Sequence, residues 1–384
     1  MSLQGSTGLN LLMYPSSIVS SGRLRKLSNS LQSSGRFSET HIVGIDSGDP
    51  APTDELADGV RVVRIPGASL QQLLGGIRIM LFWPFRVYRH YRKQNLSAVA
   101  AQNVYLLPLA YHLSRRTGAV MVYNAHELET ETIGARGLKQ KIAKFIERRY
   151  IRHADVVSVV NEPIAEWYST NYPGIEPIVL TNTPIDAGGE VDLRGQLGIP
   201  DGELLYIHVG FLMEGRSIPL LLETFAANPR VHIAFLGDGY LRPEVEQAAA
   251  AHPNIHLLPL VAPEEVVSVV RGADAGFCLV EHVSLSDKLS TPNKLMECLA
   301  AGVPPLCSDI EEARRRLGPE LSRTWILDSP EEQLHAALER IGQQDIAEFK
   351  RQWRGITGWE DQAAELVDAY REALAAHSSN AESR

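Results

Sequence analysis

The chain has 384 residues, 44% hydrophobic and 22% charged: at roughly 150 residues per domain, two domains or at most three, with no sign of disorder or a fibrous class and ample length for a core without disulfides or metals. Its net charge of −9 hides two halves. Residues 1–185 carry 20 Lys and Arg against 14 Asp and Glu, a net of +6, whereas residues 186–384 carry 17 against 32, a net of −15. That asymmetry points to a membrane or nucleic-acid contact by one half.

Short apolar runs alternate with amphipathic ones. Strands are predicted at 10–14, 41–45, 60–64, 98–101, 120–124, 156–160 and 177–180, with helices at 23–32, 138–152 and 163–171. A Gly-, Asp- and Pro-rich stretch, 186–202, reads as a linker. A second series of the same kind follows. Its strands are 205–209, 231–236, 275–279, 305–307 and 324–327, and its helices 219–227, 242–251, 263–271, 292–301 and 331–341. A last amphipathic helix covers about 360–375. Apolar strands alternating with helices indicate parallel βαβ sheets, so the predicted fold is α/β, with two doubly wound, Rossmann-like domains facing a ligand cleft.

Cys278, Cys298 and Cys307 are odd in number, lack metal-ligand spacing and sit in apolar settings. They predict reduced thiols in a cytoplasmic protein. The start, Met-Ser-Leu-Gln-Gly, shows no signal peptide. The run 77–85 is short and broken by Arg78 and Pro84, which predicts a chain that is soluble or at most peripheral on a membrane.

The stretch Ser290-Thr-Pro-Asn-Lys-Leu-Met-Glu297 carries the most chemistry. Ser290 or Thr291 is predicted to cap a helix beginning at Pro292, whose free amides would attract an anion. Glu297 lies one turn beyond Asn293 and Lys294, where a carboxylate could accept two ribose hydroxyls; a surface helix with an incidental Glu fits the same residues.

Pro292 to Glu297 followed by Ala300-Ala-Gly-Val-Pro304 resembles the nucleotide-sugar motif of family 4 glycosyltransferases, retaining enzymes of GT-B fold. Val209-Gly-Phe-Leu-Met-Glu-Gly-Arg216 is similar to the family's glycine loop and phosphate-binding basic residue, and Leu236-Gly-Asp-Gly239 to a turn ending its second C-domain strand. Tyr123-Asn-Ala-His126-Glu127 resembles its histidine-bearing loop. Glu147-Arg-Arg-Tyr with Leu180-Thr-Asn182-Thr-Pro184 resembles the end of its first domain. Trp359-Glu360 and the helix after it resemble the terminal segment that crosses back to that domain. The domains implied are 1–185 on the acceptor side, a linker at 186–202, a nucleotide-sugar domain at 203–355, and a crossover helix with tail at 356–384.

The resemblance implies a retaining transfer of a sugar from a nucleoside-diphosphate sugar to a hydroxyl, the acceptor being a lipid-linked or cell-surface polysaccharide intermediate. Glu297 would hold the donor ribose. Arg216 would neutralise the diphosphate as a catalytic group, with Lys294 and the amides near Asn293. Gly237, Asp238, Gly239 and Val261 would border the base, and His126 would act near the donor sugar. Gly22, in the Ser20-Ser-Gly22 turn, would lie near donor or acceptor. No cofactor beyond the donor is implied, and no Asp-x-Asp pair offers a metal site. Two positions depart from the pattern. Ser290 stands where many members carry a second glutamate, so sugar contact there would come from a hydroxyl, and Phe211 stands where many carry Arg. A GT-B nucleotide-sugar 2-epimerase, or a non-catalytic nucleotide-sugar-binding protein, are the other readings.

Two basic stretches produce the charge asymmetry. Residues 78–93 hold Arg78, Arg86, Arg89, Arg92 and Lys93 with no acid, interleaved with Phe82, Trp83, Phe85 and Tyr88. Residues 136–152 hold seven Lys and Arg and only Glu147. Basic amphipathic segments with aromatic residues fit an anionic leaflet, though solvated helix faces read the same way. No nucleic-acid motif accompanies the charge.

Overall fold

The computed structural model describes residues 8–16, 22–46, 53–66, 77–281 and 284–382. The opening residues 1–5, the turn residues Ser20 and Ser21, and the side chain of Arg78 lie outside them. Contacts divide the chain into two compact units, Met1–Thr181 with Glu360–Arg384, and Asn182–Trp359.

In the first unit the order is β1 (Leu9–Met13), α1 (Gly22–Ser33), β2 (Thr40–Asp46), β3 (Thr53–Ala57), β4 (Val60–Pro66), α2 (Ile77–Tyr91) and β5 (Leu96–Ala101), then α3 (Leu107–Thr117), β6 (Val120–Asn124), α4 (Leu138–Tyr150), β7 (Val156–Val159), α5 (Glu162–Asn171) and β8 (Ile178–Val179). The sheet runs β3-β4-β2-β1-β5-β6-β7-β8. Every described pairing is parallel except β3 with β4. Central strands such as β1 and β6 are rich in Leu, Val and Met and almost wholly buried, as strands covered on both sheet faces are.

Within this unit three elements lack a counterpart in the sequence reading. Strand β3 (Thr-Asp-Glu-Leu-Ala) has no alternating apolar pattern, and its cue is instead the Asp58-Gly59 turn, with Gly59 at φ 72°. Helix α2 carries Pro84, which reads as a breaker. Helix α3 merges with the apolar run before it.

The closing helix, Trp359–Glu382, belongs almost wholly to this unit. Gln362 accepts from the Thr181 amide at 3.0 Å, and Tyr370 meets the edge of Phe37 at 6.1 Å. Both ring nitrogens of His377 lie 3.0 Å from acceptors, the Gly118 carbonyl and Asp155 Oδ1. Burial pulls against its proton, but these two bonds keep its pKa above the ordinary value.

The second unit contains α6 (Leu193–Leu197), β9 (Leu204–Val209), α7 (Ile218–Ala227), β10 (Val231–Leu236), α8 (Arg242–Ala251), β11 (Ile255–Leu257), α9 (Val266–Arg271) and β12 (Ala275–Cys278). It continues with α10 (Leu285–Lys288), α11 (Asn293–Ala301), β13 (Pro305–Ser308), α12 (Glu311–Trp325), β14 (Ile326–Leu327), α13 (Pro330–Arg340) and α14 (Gln343–Gln352). Its parallel sheet runs β11-β10-β9-β12-β13-β14. Alternate β9 residues serve two cores: Leu204 and Tyr206 pack with Phe225 and Phe277, and Leu205, Ile207 and Val209 with Val267 and Val270. The three cysteines are buried free thiols.

The stretch 186–202, read from its composition as a linker, is partly ordered. Asp192 caps α6 by accepting from the Gly195 amide at 2.9 Å, Gly198 closes it in the left-handed region, and Leu193 and Ile199 belong to a core cluster. The predicted strand at 324–327 shortens because Trp325, fully buried, ends α12.

Candidate functional site

In the second sheet, β9 lies between β10 and β12. This is a topological switch point, where open α/β sheets bind ligands beyond the strands' carboxyl ends. The loop after β9 and the turn after β10 interlock there. Gly210 N–H donates to the Leu236 carbonyl at 2.9 Å, Leu212 N–H to that of Asp238 at 2.9 Å, and Leu241 N–H to that of Leu212 at 2.9 Å. A Cβ on Gly237 would strike the Gly210 carbonyl oxygen, and one on Gly239 that of Leu212. Only glycine permits this backbone-on-backbone contact. Exposed Asp238 accepts from the Gly239 amide at 2.9 Å and shapes the turn. Val261, in the loop after β11, is half-buried against the second core cluster.

Arg216 ends the glycine loop, half-buried. Ser217 after it holds φ 54°, the one positive φ outside glycine among the described residues, and opens α7. Such strain persists where the surroundings over-determine the backbone. Facing it is α11. Its cap is Pro292, at ψ 135° and without a side-chain cap bond, and the helix begins at Asn293. This corrects the expected Ser290 or Thr291 cap with Pro292 inside the helix: an extended Pro292 cannot be a helical residue. The Ser290 hydroxyl is spent on the Asp287 carbonyl, at 2.8 Å. Exposed Asn293 accepts from Asn182 at 3.0 Å.

Lys294, on the buried side of α11, is 7% exposed, and its Nζ has no hydrogen-bond partner. Burial draws its pKa down to about 8; Arg216 pushes the same way, and Cys278 and Glu297 oppose. Arg216, Lys294 and Glu297 therefore share one electrostatic neighbourhood. A fourth member escaped the sequence reading. His208, the penultimate residue of β9, is fully buried with neither ring nitrogen bonded. Burial, then the Lys294 and Arg216 charges, hold its pKa well below the ordinary value, so it stays neutral beside two cations. Its only cue was a polar residue inside the apolar strand Leu-Leu-Tyr-Ile-His-Val.

The first sheet has the same switch point, with β1 between β2 and β5. His126 lies just past β6, stacked on Tyr14 at 6.1 Å. Its Nε2 sits 2.7 Å from Gln102 Oε1; with the carboxamide so assigned, Nε2 carries the proton. Burial first, then the Arg23 charge, lower its pKa to about 3. Gly22 opens α1, exposed and at an ordinary φ, with nothing within 4 Å of a built Cβ. It therefore meets no steric demand for glycine, and the functional signal moves one residue on, to Arg23.

A basic surface completes the unit. On α4, Leu138 is 73% and Phe145 68% exposed, with Ile142 between them. Lys141, Lys144, Arg148, Arg149 and Arg152 line a hollow with Phe145. The helix's one acid, Glu147, is turned inward and accepts from the hydroxyls of Tyr123, Tyr168 and Tyr172 at 2.9, 2.7 and 2.7 Å. On α2, Phe82 and Phe85 are exposed beside Arg86 and Arg89. Trp83, grouped with them from the sequence, is 1% exposed and donates to the Gly44 carbonyl at 3.1 Å, so it anchors the helix to the sheet instead. Among the described residues no helix is long and apolar enough to cross a membrane, and no cluster of three His, Cys, Asp or Glu could hold a metal ion.

Residues 22–182 match the model of the glycosyl transferase 4-like domain. The match falls almost wholly within the first unit. No curated protein matches the sequence. Solved structures are similar over nearly the whole chain. Sucrose-phosphate synthase from Thermosynechococcus elongatus superposes with a TM-score of 0.70 at 16% identity, covering 96% of this chain and 100% of that one. The catalytic domain of starch synthase IV from Arabidopsis thaliana, bound to ADP and acarbose, gives 0.65 at 12%, covering 97% and 100%. WaaG, a glycosyltransferase involved in lipopolysaccharide biosynthesis, gives 0.63 at 12%, covering 94% and 98%. At such identities the likeness speaks for the fold, which is GT-B. The family match itself is confined to residues 22–182.

Proposed function

We propose that the protein transfers a sugar, with retention, from a nucleoside-diphosphate sugar to the hydroxyl of a lipid-linked or surface-polysaccharide intermediate. The convergence of Arg216, Lys294 and Glu297 beside the interlocked glycine turns supports this reading above all. Glu297 accepts the ribose hydroxyls. Arg216, Lys294 and the first amides of α11 take the diphosphate, an anion at a helix start. Gly237, Asp238, Gly239 and Val261 border the base.

Cleaving the anomeric C–O bond leaves negative charge on the diphosphate, and cations fixed in a poorly solvated site stabilise it as it develops. The acceptor oxygen bonds to the anomeric carbon on the face the diphosphate leaves, and the hydroxyl proton passes to the departing diphosphate oxygen. This chemistry calls on no cofactor beyond the donor. Neutral His126, fixed with Nε2 protonated, is a hydrogen-bonding partner for the sugar rather than a cation. With the Ser290 hydroxyl engaged locally, sugar contact at that point falls to backbone groups.

The lipid-linked part rests on α4. A basic helix face with exposed Leu138, Ile142 and Phe145, its acid sequestered by three tyrosines, suits shallow docking on the anionic cytoplasmic leaflet.

Product analysis tests the function. Incubation with nucleoside-diphosphate sugars should give transfer, or slow donor hydrolysis, with the released sugar's anomeric configuration kept. Binding without turnover would instead favour a nucleotide-sugar-binding protein, the reading that Phe211 and the engaged Ser290 hydroxyl motivate.

A further inference from the structure

The first unit contains a cation only partly answered among the described residues. Arg23, on the opening turn of α1, donates from Nη2 to the Leu180 carbonyl at 2.9 Å. Its Nε and Nη1 are buried and have no acceptor among the described residues. The residue keeps some surface, but these two nitrogens have none. Among the described residues no carboxylate shifts its charge: burial brings its pKa to about 10, and the group remains a cation at neutral pH. Removing a charge from water without a partner is among the costlier arrangements a fold can hold.

Its surroundings share the imbalance. Gln102, 1% exposed, spends its Oε1 on His126, and its Nε2 is buried without an acceptor. His126 feels the Arg23 charge directly and stays neutral. The topology brings these groups together. Gln102 follows β5, and its amide donates to the Met13 carbonyl of β1 at 3.1 Å. His126 follows β6, which pairs with β5, and α1 starts at the same carboxyl edge, positive end first. The edge thus carries buried N–H groups on two side chains and a full positive charge; its nearest acids, Glu129 and Glu127, act on Tyr14.

We propose that the first unit binds an oxyanion of its own at this switch point, a phosphate or carboxylate group held by Arg23 Nε and Nη1 and by Gln102 Nε2. Such a ligand accepts only and is anionic, so it meets the unmatched donors and the unmatched charge together. Arg23 suits this role better than Lys would, since its fork presents two parallel N–H groups to two oxygens. The site stands whether or not the chain transfers sugar. Its oxyanion can come from an acidic or phosphorylated acceptor, or from the donor diphosphate.

The test uses the full chain and two probes. Inorganic pyrophosphate is titrated calorimetrically at low salt into a background carrying Arg216→Gln, which removes the second unit's cation. The proposal expects saturable binding that Arg23→Gln weakens about tenfold or more, that Arg23→Lys weakens less, and that Gln102→Leu weakens in part. Nucleoside diphosphate is then titrated with Arg216 intact. Weakening by Arg23→Gln assigns the site to the donor diphosphate, and no change assigns it to the acceptor. Both support an oxyanion site. If Arg23→Gln melts like its background and binds pyrophosphate equally well, the proposal is overturned. If Arg23→Gln does not fold, unchanged binding in both Arg23→Lys and Gln102→Leu overturns it equally.

Discussion

The two switch points solve one problem with different means. In the second unit the charged groups come from one loop and one helix, Arg216 ending the glycine loop and Lys294 with Glu297 on α11, and the strand beneath adds only the neutral His208. In the first unit the groups come one by one from the ends of β1, β5, β6 and the start of α1: Tyr14, Gln102, His126 and Arg23. The comparison explains the charge puzzle. On the proposed reading, the more acidic half can bind phosphate because two local cations, Lys294 among them poorly solvated, and a helix start outweigh a dispersed surface charge. Among the described residues of the basic half, Arg23 is a buried cation with two nitrogens unpartnered, and much of the remaining excess lies on outer helix faces such as that of α4.

The largest expected effect falls on the second unit. Arg216→Ala should lower kcat/KM for the donor by roughly a hundredfold, since it removes charge stabilisation that matters most as the diphosphate leaves. Steady-state kinetics check this, and a loss confined to KM would move Arg216 from catalysis to ground-state binding. At the first unit's surface, Leu138→Ser with Phe145→Ser should reduce partition onto anionic vesicles about tenfold or more, from the lost apolar burial. Cosedimentation measures it; equal binding by the double variant, or binding to zwitterionic vesicles alone, would remove α4 as the docking helix. The smallest effect concerns the closing helix. The folded-state pKa of His377 is raised, so its contribution is present below the unfolded value near 6.5 and is lost as pH rises through the folded one. His377→Ala should therefore cost about 0.5 kcal/mol near pH 6, discounted for its partial exposure, and next to nothing near pH 9. Urea melts at the two pH values decide, and an equal loss at both would make the histidine's role steric.

What was legible in the sequence was what local spacing encodes. Lys294 and Glu297 share a helix turn, and Gly237 and Gly239 announce a turn that tolerates no Cβ. Strands such as Val120–Asn124 show themselves because burial on both faces makes them continuously apolar. What stayed hidden depends on partners distant in sequence. Arg23 looks like an ordinary helix-start arginine until Leu180 is seen to satisfy one nitrogen and no described residue the others. Trp83 reads as a membrane aromatic until the Gly44 carbonyl claims it. The Ser290 cap was a reasonable local inference, but the Asp287 carbonyl accepts that hydroxyl instead. The stretch 186–202 has linker composition and still supplies Leu193 and Ile199 to a core.

The claim on which the rest depends is that the edge around α11 holds a nucleoside diphosphate through Glu297 and its cationic neighbours. Calorimetric titration of nucleoside diphosphates into the wild-type chain and Glu297→Ala tests it most directly. The account predicts saturable binding that weakens ten- to a hundredfold in the variant, the worth of hydrogen bonds to a charged group. Affinity unchanged by Glu297→Ala, in a variant that melts like the wild type, would contradict it.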